Sequence, residues 1–401
     1  MSWVPGAQGS LFDVDALPFA SFTAEDAPAR LGVRIGERVL AVAALANATG
    51  APFGGALAGP NLDRLLAAGP SVWAQVRSWL VENLSDSDRR EVVAPHLIPL
   101  ETVTLLLPFT VADYVDFYSS EQHATNVGRI FRPGGAALPA AWRHVPIGYH
   151  GRAGTVIVSG TRVRRPCGLR KGADGEVEFG PSRRLDIEAE VGFVVGAGSA
   201  LGQPVSTAEF DQHVFGVCLV NDWSARDIQA FEYVPLGPFL GKSFATSISG
   251  WVLPLAALEA ARIPAPVQNP SPAAYLSGGG DWGFRLALEV EWNGEVVARP
   301  PFDQMYWTAA QQLAHLTING ASLRRGDLYA SGTVSGPGPA ERGSFLELSW
   351  GGRDPIMVAG AERTFLADGD TVVLRASAPG LGGGRIGLGE VSGTVLAALV
   401  P

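Results

Sequence analysis

The run Asp186-Ile187-Glu188-Ala189-Glu190-Val191 places an acidic side chain at every second position. In an extended strand Asp186, Glu188 and Glu190 share one face, and Ile187, Ala189 and Val191 share the other. Three like charges side by side repel, so water or a bound cation must offset them. A solvated strand face is the plain reading. The chemical reading is a hard divalent cation, and all-oxygen donors point to Mg²⁺ or Ca²⁺ rather than zinc. Asp222 adds weight, because it follows the apolar run at 215–220. Carboxylates at the ends of core strands either cap turns or serve sites. The general base is less sharply marked. His123 sits in a polar, aromatic-rich stretch at 113–126, as a site lining often does. A histidine base needs a carboxylate partner to fix its tautomer. His96, His144, His150, His213 and His315 compete on the same terms, so spacing alone does not choose among the six.

These residues need a folded scaffold, and the composition supplies one. The chain has 401 residues, 47% hydrophobic and 17% charged, which favours a sizeable core over disorder. Its 50 glycines and 29 prolines, with no collagen period, suit short strands joined by tight turns. The net charge of −9, without a Lys/Arg cluster, argues against nucleic acid as a partner. No stretch is apolar enough to span a bilayer, and the N-terminus lacks the pattern of a secretory signal. A cytoplasmic protein is therefore expected. Cys167 and Cys218 are too few for a disulfide framework or a Cys-rich zinc site, and Cys218 lies in an apolar run where an inert thiol is expected.

Residues 1–110 read as a small module, with a strand at 30–35, an amphipathic helix at 71–81 and a strand-like run at 103–108. Beyond 113, strand candidates recur between Gly/Pro-rich loops at 154–158, 187–195, 215–220, 284–292, 345–350 and 371–375. One helix candidate covers 308–315. The pattern predicts a large, mostly antiparallel β domain with few helices.

Several longer stretches carry a resemblance. They include Asp116-Phe117-Tyr118-Ser119-Ser120-Glu121-Gln122-His123-Ala124-Thr125-Asn126, Asn221-Asp222-Trp223-Ser224-Ala225-Arg226-Asp227-Ile228-Gln229, the run from Glu232 to Phe244, and Ser331-Gly332-Thr333-Val334-Ser335-Gly336. Together they resemble the signatures of the fumarylacetoacetase (fumarylacetoacetate hydrolase) family, in order, over roughly 113–401. The resemblance implies a mainly β (α+β) fold, with a small N-terminal SH3-like β-barrel domain at 1–110. A large C-terminal mixed β-sandwich or β-roll catalytic domain is implied at 113–401. It implies metal ligation by Asp116, Glu188, Glu190 and Asp222, with Lys242 and Thr246 beside the ion. Since an ammonium cannot ligate, Lys242 is read as a second positive charge. It further implies His123 as the base, oriented by Glu347, and Arg226, Gln229 and Lys242 as stabilisers of the oxyanion. Tyr118, Arg132, Tyr149, Gln229, Tyr233 and Thr333 are implied to contact substrate. The implied activity is hydrolysis of the carbon–carbon bond of 4-fumarylacetoacetate by a homodimer, in tyrosine and phenylalanine breakdown. Read singly, most of these residues have a plainer explanation, such as core aromatics, surface charges or turn positions. Their joint order carries the reading. One departure stands out: Ala245 fills a slot where the family usually has glycine, which would strain the loop if that position needs positive φ.

Three other readings compete. Gly382-Gly383-Gly384-Arg385-Ile386-Gly387 matches a dinucleotide-binding glycine pattern, but no βαβ unit surrounds it. A non-enzymatic cation-binding module would keep the carboxylates and lose His123 or Glu347. A sibling enzyme acting on a related β-diketo acid, such as an acylpyruvase, would typically lack the N-terminal module.

Overall fold

The computed structural model describes residues 1–399 apart from 25, 26, 173 and 281. The end of the expected C-terminal domain, Val400 and Pro401, therefore lies outside the described residues. The chain is mainly β with some helices.

The N-terminal strands Phe19–Ala24, Arg30–Ile35, Arg38–Ala41, Leu97–Pro99 and Val103–Leu106 form one antiparallel sheet. The expected amphipathic helix is Pro70–Ser85. It opens on Pro70, whose fixed φ suits a first helical turn, and buries Val76, Leu80 and Leu84.

The elements that carry the candidate site follow in chain order. They are strand Asp113–Phe117 (β1), helix Glu121–Phe131 (α1), strand Ala189–Val195 (β2), strand Val214–Asp222 (β3) and helix Arg226–Glu232 (α2). Strand Thr246–Ile248 (β4), strand Asp327–Ala330 (β5) and the single turn Phe345–Leu348 (α3) complete the set. The strands belong to an eight-stranded sheet in the order Gly148–His150, β1, β5, β2, β3, β4, Val156–Val158, with Leu253–Pro254 also on β3. The β1–β5 and β4–Val156–Val158 pairings are parallel and the others antiparallel. The C-terminal end of β1 thus lies at the same edge as the N-terminal end of β2, the C-terminal end of β3 and the N-terminal end of β4. That edge is where the acidic residues converge.

A second sheet, built from Glu295–Ala298, Ala287–Trp292, Thr371–Pro379, Arg385–Leu396 and Val163–Arg164, shares one core with the first. Val191, Phe193 and Val195 of β2 point into that core. Val194 of β2, with Cys218 and Val220 of β3, joins a core with N-terminal residues such as Leu31, Leu65 and Val76. Strands covered on both faces read as continuous apolar runs, which accounts for Phe193-Val194-Val195.

Several expectations change in detail. The run 345–350 is no strand: Ser344 caps α3 by accepting from the Glu347 N–H. The 187–195 run is broken into Leu185–Asp186 and β2, with Ile187 and Glu188 between them. Only Val156–Val158 of 154–158 is strand, after a 3-10 turn at Ala153–Thr155. The glycine pattern at 382–387 spans a hairpin turn and the start of the following strand, with Pro379 opposite Arg385, which removes the dinucleotide reading. The helix at 308–315 is Ala309–Thr317, with Thr308 and Gln311 in a capping box. Ala245 is absent from the positive-φ residues and is buried, so the feared loop strain does not arise. No helix of the described residues is long and apolar enough to cross a membrane.

Candidate active site

Four carboxylates gather at the sheet edge. Asp116 of β1, Glu188 just before β2, Glu190 of β2 and Asp222 of β3 each offer one oxygen within 4.8 Å of the others, and all four are buried. The register explains the meeting: Asp222 pairs with Thr246, Glu190 with Val220, and Asp116 with Ala330 and Tyr149. Lys242 Nζ donates to Glu188 Oε2 at 2.6 Å and to Asp222 Oδ2 at 2.7 Å. Tyr149 donates to Asp222 Oδ2 at 3.0 Å and Thr246 to Asp222 Oδ1 at 3.2 Å. Thr246 therefore braces a carboxylate.

These contacts leave acceptors over. Among the described residues, Asp116 Oδ1 and both Glu190 oxygens are buried without a hydrogen-bond partner. Leaving buried acceptors unsatisfied costs about 1–3 kcal/mol each, and more when they are charged. Burial, with Asp222 and Glu188 nearby, pushes the Asp116 carboxyl well above the usual range. Burial and the repulsion of Asp116 and Glu188 do the same to Glu190. Burial also raises Asp222, against the pull of Lys242. Glu188 goes the other way: burial would raise it, but Lys242 and Arg226 hold it well below the usual range. An all-oxygen pocket with surplus negative charge and orphaned acceptors fits a hard divalent cation.

Beside this cluster stands the imidazole. Ser120 caps α1 by accepting from the His123 N–H, which sets His123 in the first turn. His123 Nδ1 lies 2.6 Å from Glu347 Oε2, and its Nε2 lies 3.9 Å from Glu188 Oε1. Glu347 is fully buried. It accepts further bonds from Asn126 Nδ2 at 2.9 Å, Ser335 Oγ at 2.9 Å and Ser344 Oγ at 2.9 Å. Burial alone would raise this carboxyl, but His123 and these donors hold it below its ordinary value. Asn126, Ser335 and Ser344 were not singled out from the sequence, although the Ser-x-x-Glu spacing of Ser344 and Glu347 is a helix-start signature. None of the other five histidines lines the cavity that His123 lines: His150 faces a smaller neighbouring one with Asp222 and Lys242, and His315 bonds to Tyr275.

Arg226 links the two groups. Its Nε donates to Asp186 Oδ2 at 2.8 Å, NH1 lies 2.7 Å from Glu188 Oε1, and NH2 has no partner among the described residues. Gln229, one turn on in α2, accepts from Arg226 NH1 at 3.2 Å. Asp186, grouped with Glu188 and Glu190 by the alternation, turns away from the cluster because the strand breaks after it. A cavity of about 560 Å³ opens over all of this. Its lining includes His123, Arg226, Gln229 and Lys242, and the expected substrate contacts Tyr118, Arg132, Tyr149, Tyr233 and Thr333. Thr333 Oγ1 is buried and has no hydrogen-bond partner among the described residues. Arg132 stands exposed at the rim, donating to the Ala137 carbonyl. The rest of the lining is largely apolar, from residues such as Val127, Phe131, Ile147 and Leu236.

The sequence matches two family models, one described as Fumarylacetoacetase N-terminal over residues 15–108 and one as Fumarylacetoacetate (FAA) hydrolase C-terminal over 113–396. The chain is 43% identical over 419 residues to the fumarylacetoacetase of Homo sapiens, with all of both chains covered. It is 41% identical to that of Oryza sativa, covering 99% of this chain and 97% of the other. Among solved structures, a fumarylacetoacetate hydrolase from Exiguobacterium antarcticum superposes with a TM-score of 0.57 at 17% identity, covering 95% of this chain and 99% of that one. A maleylpyruvate hydrolase from Sphingobium sp. SYK-6, in complex with manganese(II) ion and pyruvate, superposes with a TM-score of 0.53 at 15% identity, covering 96% and 100%. At those identities the structures share the fold.

Proposed function

The chain belongs to the fumarylacetoacetate hydrolase family, and from that membership we propose how it hydrolyses the carbon–carbon bond of 4-fumarylacetoacetate to fumarate and acetoacetate. The observation that carries the reading is the convergence of four buried carboxylates with the His123–Glu347 pair beneath one cavity.

Asp116, Glu188, Glu190 and Asp222 would hold the divalent cation, which we read as Mg²⁺ or Ca²⁺. Bound there, it supplies Lewis acidity toward the enolate oxygens of the leaving acetoacetate, the charge that makes such a carbon a tolerable leaving group. The other tasks fall to side chains of the chain. Glu347, ionised, accepts a hydrogen bond from the Nδ1–H of His123 and fixes the tautomer, leaving Nε2 free on the cavity side. Nε2 then takes a proton from a water that attacks the carbonyl bearing the fumaryl group, and when the adduct collapses and the carbon–carbon bond breaks, the imidazolium returns that proton to the leaving acetoacetate carbon. Such general-base help is worth about 10²–10⁴-fold. The logic is that of a serine-hydrolase triad with water replacing serine.

The unpartnered NH2 of Arg226, the amide of Gln229 and the ammonium of Lys242 are donors for the tetrahedral oxyanion. One well-placed donor is worth about 10²–10³-fold. Arg132, Tyr118, Tyr149, Tyr233 and Thr333 provide contacts for the substrate and its carboxylates, which a chain of net negative charge needs. We read residues 1–110 as an SH3-like domain and 113–401 as the catalytic domain. We read the assembly as a homodimer, and the exposed apolar side chains of Val234, Leu236 and Phe239 near the cavity mouth suit coverage by a second copy.

The test follows the loss of fumarylacetoacetate absorbance with the wild type, His123→Ala and cation-stripped protein. Turnover is expected to collapse in both altered samples. Undiminished turnover in either refutes the mechanism.

A further inference from the structure

Asp186 is fully buried, yet it is neither one of the clustered carboxylates nor part of the cavity lining. Its two oxygens accept four hydrogen bonds. Oδ1 takes the N–H of Ile187 at 2.8 Å and of Phe345 at 2.7 Å. Oδ2 takes Nε of Arg226 at 2.8 Å and the N–H of Leu346 at 3.0 Å. All four partners are donors, so only the carboxylate satisfies them, and an amide in its place would set its NH2 against two of them. One side chain thus grips two pieces of machinery that are far apart in sequence: the guanidinium of Arg226 and the first turn of α3, which carries Glu347.

The backbone reinforces the grip. Leu185–Asp186 pairs with Ser224–Ala225, and the Arg226 N–H donates to the Arg184 carbonyl at 2.9 Å, so the start of α2 is fixed to the same ribbon. With Nε held by Asp186 and NH1 against Glu188, the remaining NH2 is the edge left without a partner. A guanidinium fixed on two edges presents the third in one direction, which is what a preorganised donor needs.

We propose that Asp186 is a positioning residue for the hydrolysis, which aims Arg226 at the oxyanion and holds the Glu347 turn in register with it. This rests on the reading of Arg226 given above.

The test is a double-mutant cycle of Asp186→Asn with Arg226→Gln, measuring kcat, KM and calcium affinity of the cation-stripped chain. Asp186→Asn is expected to lower kcat about 10–100-fold, the usual cost of losing a partner that orients a reacting group. KM and calcium affinity are expected to stay within about threefold. In the Arg226→Gln background the same change is expected to cost less than about threefold, because the group it acts through is gone. Fully multiplying losses, or a loss carried by KM or calcium affinity, overturn the proposal while leaving Arg226 in its role. Arg226→Gln at wild-type kcat overturns the reading of Arg226, and the proposal with it. If Asp186→Asn does not fold, Arg226→Lys decides, since it leaves the backbone bonds of Asp186 in place. A lysine cannot engage Asp186 and Glu188 while presenting a third donor, so kcat is expected to fall about tenfold or more. Retention within about threefold overturns the proposal.

Discussion

Glu347 shows how much chemistry a single side chain gathers in this protein. It is fully buried and bonded to His123, Asn126, Ser335 and Ser344. Glu347→Gln keeps the shape but sets an NH2 against donors and removes the charge that fixes the imidazole. It is expected to lower kcat about 10²–10⁴-fold with calcium binding retained. The pH dependence follows from the lowered folded-state value of this carboxyl. A lowered value stabilises the fold above the ordinary carboxylate range and loses that contribution as pH falls through the lowered value. The melting temperatures of wild type and Glu347→Gln should therefore converge at acid pH, and a constant gap would contradict the assigned charge state. At this scale the sequence was legible where a whole motif stood in order, as for His123 within the run from Asp116 to Asn126. It misled at Asp186. Strict alternation put that residue with Glu188 and Glu190, but the strand breaks between Leu185–Asp186 and β2, and Asp186 serves Arg226 instead.

Elements deliver these side chains through their ends, and short tight joints hold the ends together. After β5 the chain passes Ser331, Gly332 and Thr333 on its way past β1. Gly332 has a φ of +76°, and a Cβ there would lie 2.1 Å from the Phe117 carbonyl oxygen. Both facts forbid a side chain. Gly332→Ala is expected to destabilise the fold by at least about 1–3 kcal/mol, the usual cost of a strained backbone position. It should also lower turnover, because the loop that bears Thr333 must move off β1. Unfolding in denaturant with unchanged midpoint would contradict this. The longer elements, such as Pro70–Ser85 and β3, were legible in the sequence because a helical period over several turns marks the first and an unbroken apolar run the second. The four-residue α3 was not: Phe345-Leu346 beside a polar residue resembles a strand, and one turn carries no period. Its readable signal was the Ser344–Glu347 spacing.

Taken whole, the molecule stacks N-terminal residues on one face of the central sheet and a second sheet on the other. The two-faced burial was legible in Phe193-Val194-Val195. Which segment covers which face was not, since those contacts join residues far apart in sequence. The stack also holds the sheet edge on which the four carboxylates are buried, which links cation binding to the stability of the entire fold. Asp116, Glu190 and Asp222 all have raised values in the folded chain. Without a cation, the folded state then holds protons that the unfolded state has released. Its stability should fall as pH rises from the ordinary carboxylate range through the raised values. Calcium should reverse that loss, with protons released on binding. At about 100-fold excess over Kd it should add about 2.7 kcal/mol. A cation-free melting temperature that does not move with pH would contradict this.

The most direct measurement of the central claim is calcium titration by calorimetry into cation-stripped wild type, Glu190→Gln and His123→Ala, with turnover measured on each. The account predicts one ion per chain in the wild type and in His123→Ala. It predicts affinity lowered at least about tenfold in Glu190→Gln, and loss of turnover in both variants. Undiminished calcium binding by Glu190→Gln, or wild-type turnover by His123→Ala, would contradict it.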